Sequence, residues 1–453
     1  MRNMQIDNIN YFENKVEFIF YHIKKYGIDS VHIDFDTTDT LKVVEFIKKV
    51  HEGWKIAQDN IVDELILIEE IRKENKKKLT EAHRKKDEIL KQKYFKENEN
   101  LDFNEHILRK LADSIAWQIL RENHIVRRFC TSDKLQTIQP SNLRREKKFV
   151  DSYNESNPLS FALLSDITSF IQIGDALIFN YEDNTRIVVE LKDGETNETV
   201  RKAIDNYYQT GRCDKYLRFF KEEHGKKALE QLERMMKQDL KGSRLAHVLN
   251  EGEGVDPIGD RIKIPDPVFP TKHFKEHIIK LLNEVDTVNY SLDCIDSCLH
   301  ICAYSSKYPC PQVFELLMKG QGNSYPICDF RSILFQPVVI PPFMLPLPKE
   351  QIFDLIFGRK LILFCLNFDE WMKLGEEFEL NIEWVSRKKS SRINQKHHPI
   401  HRPFEFNNRI IQVSHGEHSF YLGGGQLTRI FYEFVYPSSI LAINRMSFDH
   451  KPE

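Results

Sequence analysis

Residues 171–195 read IQIGDALIFNYEDNTRIVVELKDGE, and they decide how the middle of this chain folds. Two runs rich in Ile, Val and Phe flank Asp183 and Asn184, residue types suited to tight turns, so the stretch predicts an antiparallel hairpin. With those two residues as the turn, cross-strand partners have numbers that sum to a constant. Glu182 then faces Thr185, Leu177 faces Glu190 and Asp175 faces Lys192. Side chains two apart share a face of a strand. Asp175, Glu190 and Lys192 are therefore expected to converge on one side of the sheet, at the end away from the turn. A one-residue bulge would break this parity.

That set suits a particular chemistry. Two neighbouring carboxylates repel each other unless a cation lies between them, and hard oxygen ligands of this kind select Mg²⁺ or Mn²⁺. Such an ion retains waters, lowers the pKa of one and neutralises charge on a phosphate, while a lysine beside it orients or deprotonates that water. The backbone carbonyl of Leu191 is a further candidate ligand. The bland alternative is an exposed Glu190/Lys192 strand pair with Asp175 opening a turn.

Around the hairpin, residues 1–102 predict a small mixed segment and a helical arm. Ile61, Val62, Leu65, Leu67 and Ile68 give way there to a Lys- and Glu-rich run with the pattern of a solvated helix. From residue 103, Leu108, Leu111, Ile115, Ile119 and Val126 recur at helical spacing. Glu122 falls on that apolar stripe, where a carboxylate must be paired, protonated or bound to metal. Residues 130–170 look irregular and polar, with a basic cluster at Arg144, Arg145, Lys147 and Lys148.

Gly174-Asp175 and Glu190-Leu191-Lys192 resemble the motif of the PD-(D/E)XK nuclease superfamily, with Gly174 in place of the usual proline. The resemblance spans roughly residues 103–305, and the hairpin carries it. It implies an αβββαβ restriction-endonuclease-like core, Asp175 and Glu190 as metal ligands, and Lys192 beside the attacking water. It also implies a Glu from the first helix, for which Glu122 is the candidate, and a Gln or basic residue from the following helix, for which Gln209, Gln231 and Arg234 are candidates. The implied activity is Mg²⁺- or Mn²⁺-dependent hydrolysis of nucleic acid, DNA ahead of RNA, in a role suited to prokaryotic anti-phage defence or restriction. A non-catalytic nucleic-acid or partner-binding scaffold that keeps the nuclease fold is the alternative, as is an RNA-directed nuclease.

The expected architecture is mixed α/β: an arm over 1–102, a nuclease-like core over 103–310, and a further α/β domain over 311–453. In the last, EQIFDLIFG reads as a helix, and KLILFCLNF and FELNIEWV as strands. CLHICAY reads as a strand closing the nuclease sheet. Arg387, Lys388, Lys389 and Arg392 lie in a basic loop, 387–402, suited to touching phosphates. Cys294, Cys298, Cys302 and Cys310 lack the CxxC spacing of zinc sites, and the eight cysteines read as reduced thiols. His397, His398 and His401 are interrupted by Pro399, which argues for a loop over a metal site. Gly423-Gly424-Gly425 is read as a turn, since no Lys-Ser or Lys-Thr follows it. The net charge of −3 gives no global pull toward nucleic acid. No signal-peptide or membrane-spanning run is seen, so a cytoplasmic protein without membrane contact is expected, compatible with a homo-oligomer or a partner subunit.

Overall fold

The computed structural model describes residues 9–31, 39–121, 123–132, 134–191, 195–209, 211, 213–263, 270–307, 310–322 and 325–449. The chain forms two compact units, Met1–Pro265 and Asp266–Glu453, and is of mixed α/β class. The boundaries expected from sequence fall elsewhere: 102/103 lies inside a continuous helix, and 310 is the first residue of another. Among the described residues no helix is long and apolar enough to cross a membrane.

In the first unit, α1 (Ile9–Lys24) and the short α2 (Tyr26–Ser30) pack on α3 (Thr40–Lys85), which runs against α4 (Glu88–Leu120) as a long helical hairpin. Each of the two long helices starts on an aspartate cap. Asp39 accepts from Leu41 N (3.0 Å), and Asp87 accepts from Leu90 N (3.1 Å). Lys86, at φ 54°, makes the reversal between them. Trp54, Ile61, Val62 and Leu65 of α3 and Ile107, Leu108, Leu111 and Ile115 of α4 are buried. The Lys/Glu-rich run toward the reversal is a solvated helix surface carrying pairs such as Lys78–Glu74 (2.7 Å). Arg121, at φ 66°, stops α4. The helix expected to continue through Val126 therefore ends at Leu120, and Val126 belongs to a separate helix, α5 (Asn123–Phe129).

Residues 130–170 are more regular than their polarity suggests. Pro140 opens α6 (Pro140–Ser156), as a residue that gives up only an N–H already without a helical partner. Three antiparallel strands follow in the order β1 (Ser160–Leu164), β2 (Ala176–Asn180) and β3 (Thr185–Val189). The outer edge of β1 is closed by side chains. Gln58 of α3 accepts from Leu164 N (2.9 Å), and Asn154 of α6 accepts from Ala162 N (2.7 Å) and donates back to Ala162 O (3.1 Å). Side chains thus replace a neighbouring strand, and the edge is protected from further pairing. Then come α7 (Glu195–Gln209), α8 (Asp214–Glu251, kinked at Gly225) and the small ribbon β4 (Glu253–Val255) with β5 (Arg261–Lys263).

The second unit holds α9 (Lys275–Val288), β6 (Tyr290–Ile295), β7 (Leu299–Ser305), α10 (Cys310–Gly320), β8 (Ile327–Asp329), α11 (Lys349–Ile356) and β9 (Lys360–Leu366). Its first sheet has the order β6-β7-β9-β8. CLHICAY is indeed a strand, but β7 pairs with β6 and β9 here and does not close the sheet of the motif hairpin. Asp296 and Ser297, both at positive φ, turn β6 tightly into β7 and so fix that partnership locally. After α12 (Phe368–Glu376) come β10 (Asn381–Trp384), α13 (Arg387–Asn394), β11 (Glu405–Phe406), β12 (Arg409–His415) and β13 (His418–Tyr421), with β12 pairing all three other strands. The unit ends with α14 (Gly424–Tyr432) and α15 (Pro437–Asp449). Two local expectations are corrected: Arg387–Asn394 is helix rather than loop, and Gly424 and Gly425 open α14.

Candidate functional site

The hairpin of β2 and β3 forms, with a wider turn than its sequence suggests. Asn180 pairs with Thr185, Leu177 with Val188 and Ala176 with Val189, so Tyr181–Asn184 is a four-residue connection. Asp183 and Asn184 still supply its chemistry. The Asp183 carboxylate accepts from Thr185 N (3.0 Å) and Thr185 Oγ1 (2.7 Å), and Asn184 takes φ 55°. Leu177 thus faces Val188 in place of Glu190, and the Glu182–Thr185 pair does not occur.

Regular pairing ends at Ala176 and Val189. Beyond it, Asp175 N donates to Val189 O (2.8 Å), and Leu191 N donates to Asp175 Oδ2 (2.5 Å). Both bonds are out of step with the ladder, a departure of the kind that re-aims side chains at strand ends. The strand-parity expectation therefore stops short of Glu190. Gly174 is required at this point: it sits at φ +76°, and a Cβ there would lie 2.2 Å from Val188 Cγ1.

Asp175 and Glu190 both act through their charge on a third carboxyl, which places both in its neighbourhood. Glu146, on α6, is only 4% exposed, and its Oε2 is buried with no hydrogen-bond partner among the described residues. Burial, together with the charges of Asp166, Asp175 and Glu190, lifts its pKa to about 7, against a weaker pull from Arg145. Asp166, just after β1, is likewise raised by burial and by Asp175, with Arg109 opposing. Four carboxylates from α6, the end of β1, the start of β2 and the end of β3 thus share one field.

Glu146 and Asp166 were not singled out in the sequence. Glu146 carried a usable signal, because Leu143, Glu146 and Val150 share one helix face and all are buried. The surrounding RREKK drew attention to charge instead, and much of that charge is paired: Arg144 with Glu70 (2.6 Å), Lys147 with Asp59 (2.5 Å) and Asp151 (2.6 Å). Asp166 sits in a loop and had no periodic signal.

The loop that carries Asp166 is held by buried charge. Arg109 of α4, fully buried, donates to Asp166 O (2.7 Å), Thr168 O (2.8 Å) and Gln136 O (2.7 Å) and pairs with Glu105 (2.7 Å). One turn on, Asp113 accepts from Ser169 N (2.7 Å), Ser169 Oγ (2.5 Å) and Lys110 Nζ (3.0 Å). These bonds satisfy the buried charges and fix the connection between β1 and β2.

Glu190 also borders a cleft of about 650 Å³ whose walls include Arg186 and Val189 of β3, Arg201 of α7 and Gln238 and Ser243 of α8. Gln231 and Arg234 are bonded to each other further back on α8 and do not line it. Lys192 and Glu122 lie outside the described residues. Arg387, Lys388, Lys389 and Arg392 are on α13 of the second unit. Among the described residues no three His, Cys, Asp or Glu side chains stand close enough to enclose a metal ion. The four carboxylates act on one another through their charge, and among them Glu146 Oε2 is the buried oxygen without a hydrogen-bond partner. Cys294 is exposed on β6, while Cys298 and Cys302 are buried, and burial pushes the Cys298 thiol up. No protein-family model, curated protein or solved structure matches the chain.

Proposed function

We propose that this chain is a metal-dependent nuclease that hydrolyses phosphodiester bonds, DNA ahead of RNA, with Glu146, Asp166, Asp175 and Glu190 as its acidic centre. The observation that carries this reading is the self-repelling carboxylate group with one buried oxygen left unpartnered, a costly arrangement that a cation would relieve. Mg²⁺ or Mn²⁺ held by these residues would supply Lewis acidity and a water of lowered pKa.

The chain's own groups have separable tasks. Asp175 is oriented by the Leu191 N–H, and Glu190 stands at the rim of the cleft, where Arg186 and Arg201 offer charge to a phosphate backbone. Glu146, with a pKa near neutrality, can hold or release a proton at working pH. Lys192, two residues beyond Glu190, is assigned to positioning the attacking water. The order α6-β1-β2-β3-α7 supports a restriction-endonuclease-like core, and the side-chain closure of the β1 edge is where this chain departs from the αβββαβ expectation.

The test is incubation of the purified chain with plasmid, linear DNA and RNA, each with Mg²⁺, Mn²⁺ or chelator, beside Asp175→Ala, Glu190→Ala and Lys192→Ala. Cleavage that needs the metal and is lost in all three variants is expected. Full activity in the three variants, or none in the wild type with either metal, rejects the proposal.

A further inference from the structure

Between Trp384 and Arg402 the chain carries six Lys or Arg residues and no Asp or Glu, in a protein whose net charge is −3. The structure turns most of this segment into a fixed surface. On α13, Arg387, Lys388, Lys389 and Arg392 are exposed, as is Lys396 just beyond it. Lys388, Arg392 and Lys396 follow one another at intervals of four, which places them along one side of the helix and its last turn. The opposite side is anchored. Ser390 is 1% exposed, accepts from Ile410 N (3.1 Å) and donates to Ser386 O (3.0 Å), and the buried Asn394 donates to Glu405.

Among the described residues no carboxylate pairs with these five cations. The nearest acids in sequence are Glu383 on β10 and Glu405 on β11, and Glu405 is engaged by Asn394. Aromatic rings border the cations. Lys389 lies 5.9 Å from the ring centre of Tyr421 and donates to Gln412 Oε1 (3.3 Å), while the Trp384 ring ahead of the helix is approached by Arg409 of β12 (5.7 Å), both rings being half-buried.

We infer that α13 is a second nucleic-acid contact, a preformed cationic ridge that grips the phosphate backbone without reading sequence. Cations without a carboxylate partner on a rigid helix displace condensed counterions at little cost in ordering, and the Tyr421 ring beside Lys389 suits a partner that offers π-faces beside its phosphates. Among the described residues the segment presents no exposed large apolar side chain, which favours a nucleic acid over an anionic membrane surface, where apolar groups would insert beside the cations. The inference stands apart from the proposed chemistry of the first unit, because binding is measured without metal.

The experiment is fluorescence-anisotropy binding of the full chain, in chelator, to labelled single-stranded DNA, its duplex and the matching RNA over a range of salt, with phosphatidylserine vesicles as a separate arm. The variant is Arg387→Glu, Lys388→Glu, Lys389→Glu and Arg392→Glu combined, with the four Gln replacements as a milder set. The control reverses Lys76, Lys77, Arg84 and Lys85, which are exposed on α3. Loss of four phosphate contacts lowers affinity by about tenfold or more near physiological salt and flattens the log–log salt slope by about three, while the control stays within about twofold of wild type. Absence of nucleic-acid binding, capture by vesicles alone, an equal loss in the control, or unchanged binding in both α13 variants would each overturn it. A chain that binds through α13 and cuts nothing would remove the nuclease reading and leave this one standing.

Discussion

Two groups of charge meet at the loop after β1, one around the buried Arg109, Lys110 and Asp113 and one around the buried Glu146, and they are treated in opposite ways. Around Arg109, Lys110 and Asp113, nearly every polar atom has a partner: carbonyls of residues 136, 166 and 168, the Ser169 N–H and hydroxyl, and the Glu105 carboxylate. Around Glu146, three further acids press on a carboxylate whose Oε2 has nothing to accept from. Burial alone therefore does not mark a functional group. A satisfied charge network holds a loop, whereas a buried carboxylate pressed by further acids and left with one oxygen unbonded is costly to the fold.

The comparison can be broken most severely at the satisfied end. Replacing Arg109 with Met strands three carbonyls and leaves Glu105 with Arg72 as its remaining cation, and a loss of about 3–5 kcal/mol in denaturant-monitored stability is expected. A loss below about 1 kcal/mol would mean that the network contributes little to holding the loop.

At the unsatisfied end the sign reverses. The folded-state pKa of Glu146 lies above its unfolded value, so the native chain binds its proton more tightly. The associated stability is fully present below about pH 4.5 and is lost as pH rises through about 7. In chelator, Glu146→Gln is therefore expected to stabilise the protein at pH 8 by up to about 3 kcal/mol, with the gain vanishing below pH 4.5. A destabilised variant at pH 8 would show that Glu146 has a partner in solution.

His51 gives a similar magnitude with the opposite dependence. Burial holds its pKa down at about 4 while Nδ1 faces Pro158 O (3.1 Å), so its contribution is intact above about pH 6.5 and falls away as pH drops toward 4. His51→Asn should flatten that limb of a thermal-stability profile, and an unchanged limb would assign it to other groups. The smallest effect is expected at Gly174→Ala, where positive φ and the Val188 contact should cost about 1–3 kcal/mol and disturb the orientation of Asp175. Near-neutral stability with full activity there would show that the irregular strand end is not needed.

What the sequence made legible was local. The hairpin's strands, the helix carrying Leu108 to Ile119 and the strands and helix named in the second unit follow from short-range periodicity and turn chemistry, and they appear, whereas α6 and β1 stand where irregular chain was expected. The turn length did not follow, because Asp183 and Asn184 act equally well at the end of a four-residue connection as in a two-residue one. Partnership across distance was illegible as well: nothing in CLHICAY says that β6, one tight turn away, takes the place expected of β2 or β3. For the acidic centre, Asp175 and Glu190 were visible through the motif. Glu146 was hidden among basic neighbours although it sat on an apolar stripe, and Asp166 depends on a loop shaped by Arg109, 57 residues earlier.

The proposed cation-dependence of that centre is tested most directly by calorimetric titration of Mg²⁺ into the nucleic-acid-free chain at pH 6.5, in two buffers of different ionisation enthalpy. If the carboxylates hold the ion, binding expels the proton that Glu146 shares at this pH, so the apparent enthalpy differs between buffers, and Glu146→Gln abolishes the difference. Saturable binding without proton release, or no binding by the wild-type chain, would contradict the account.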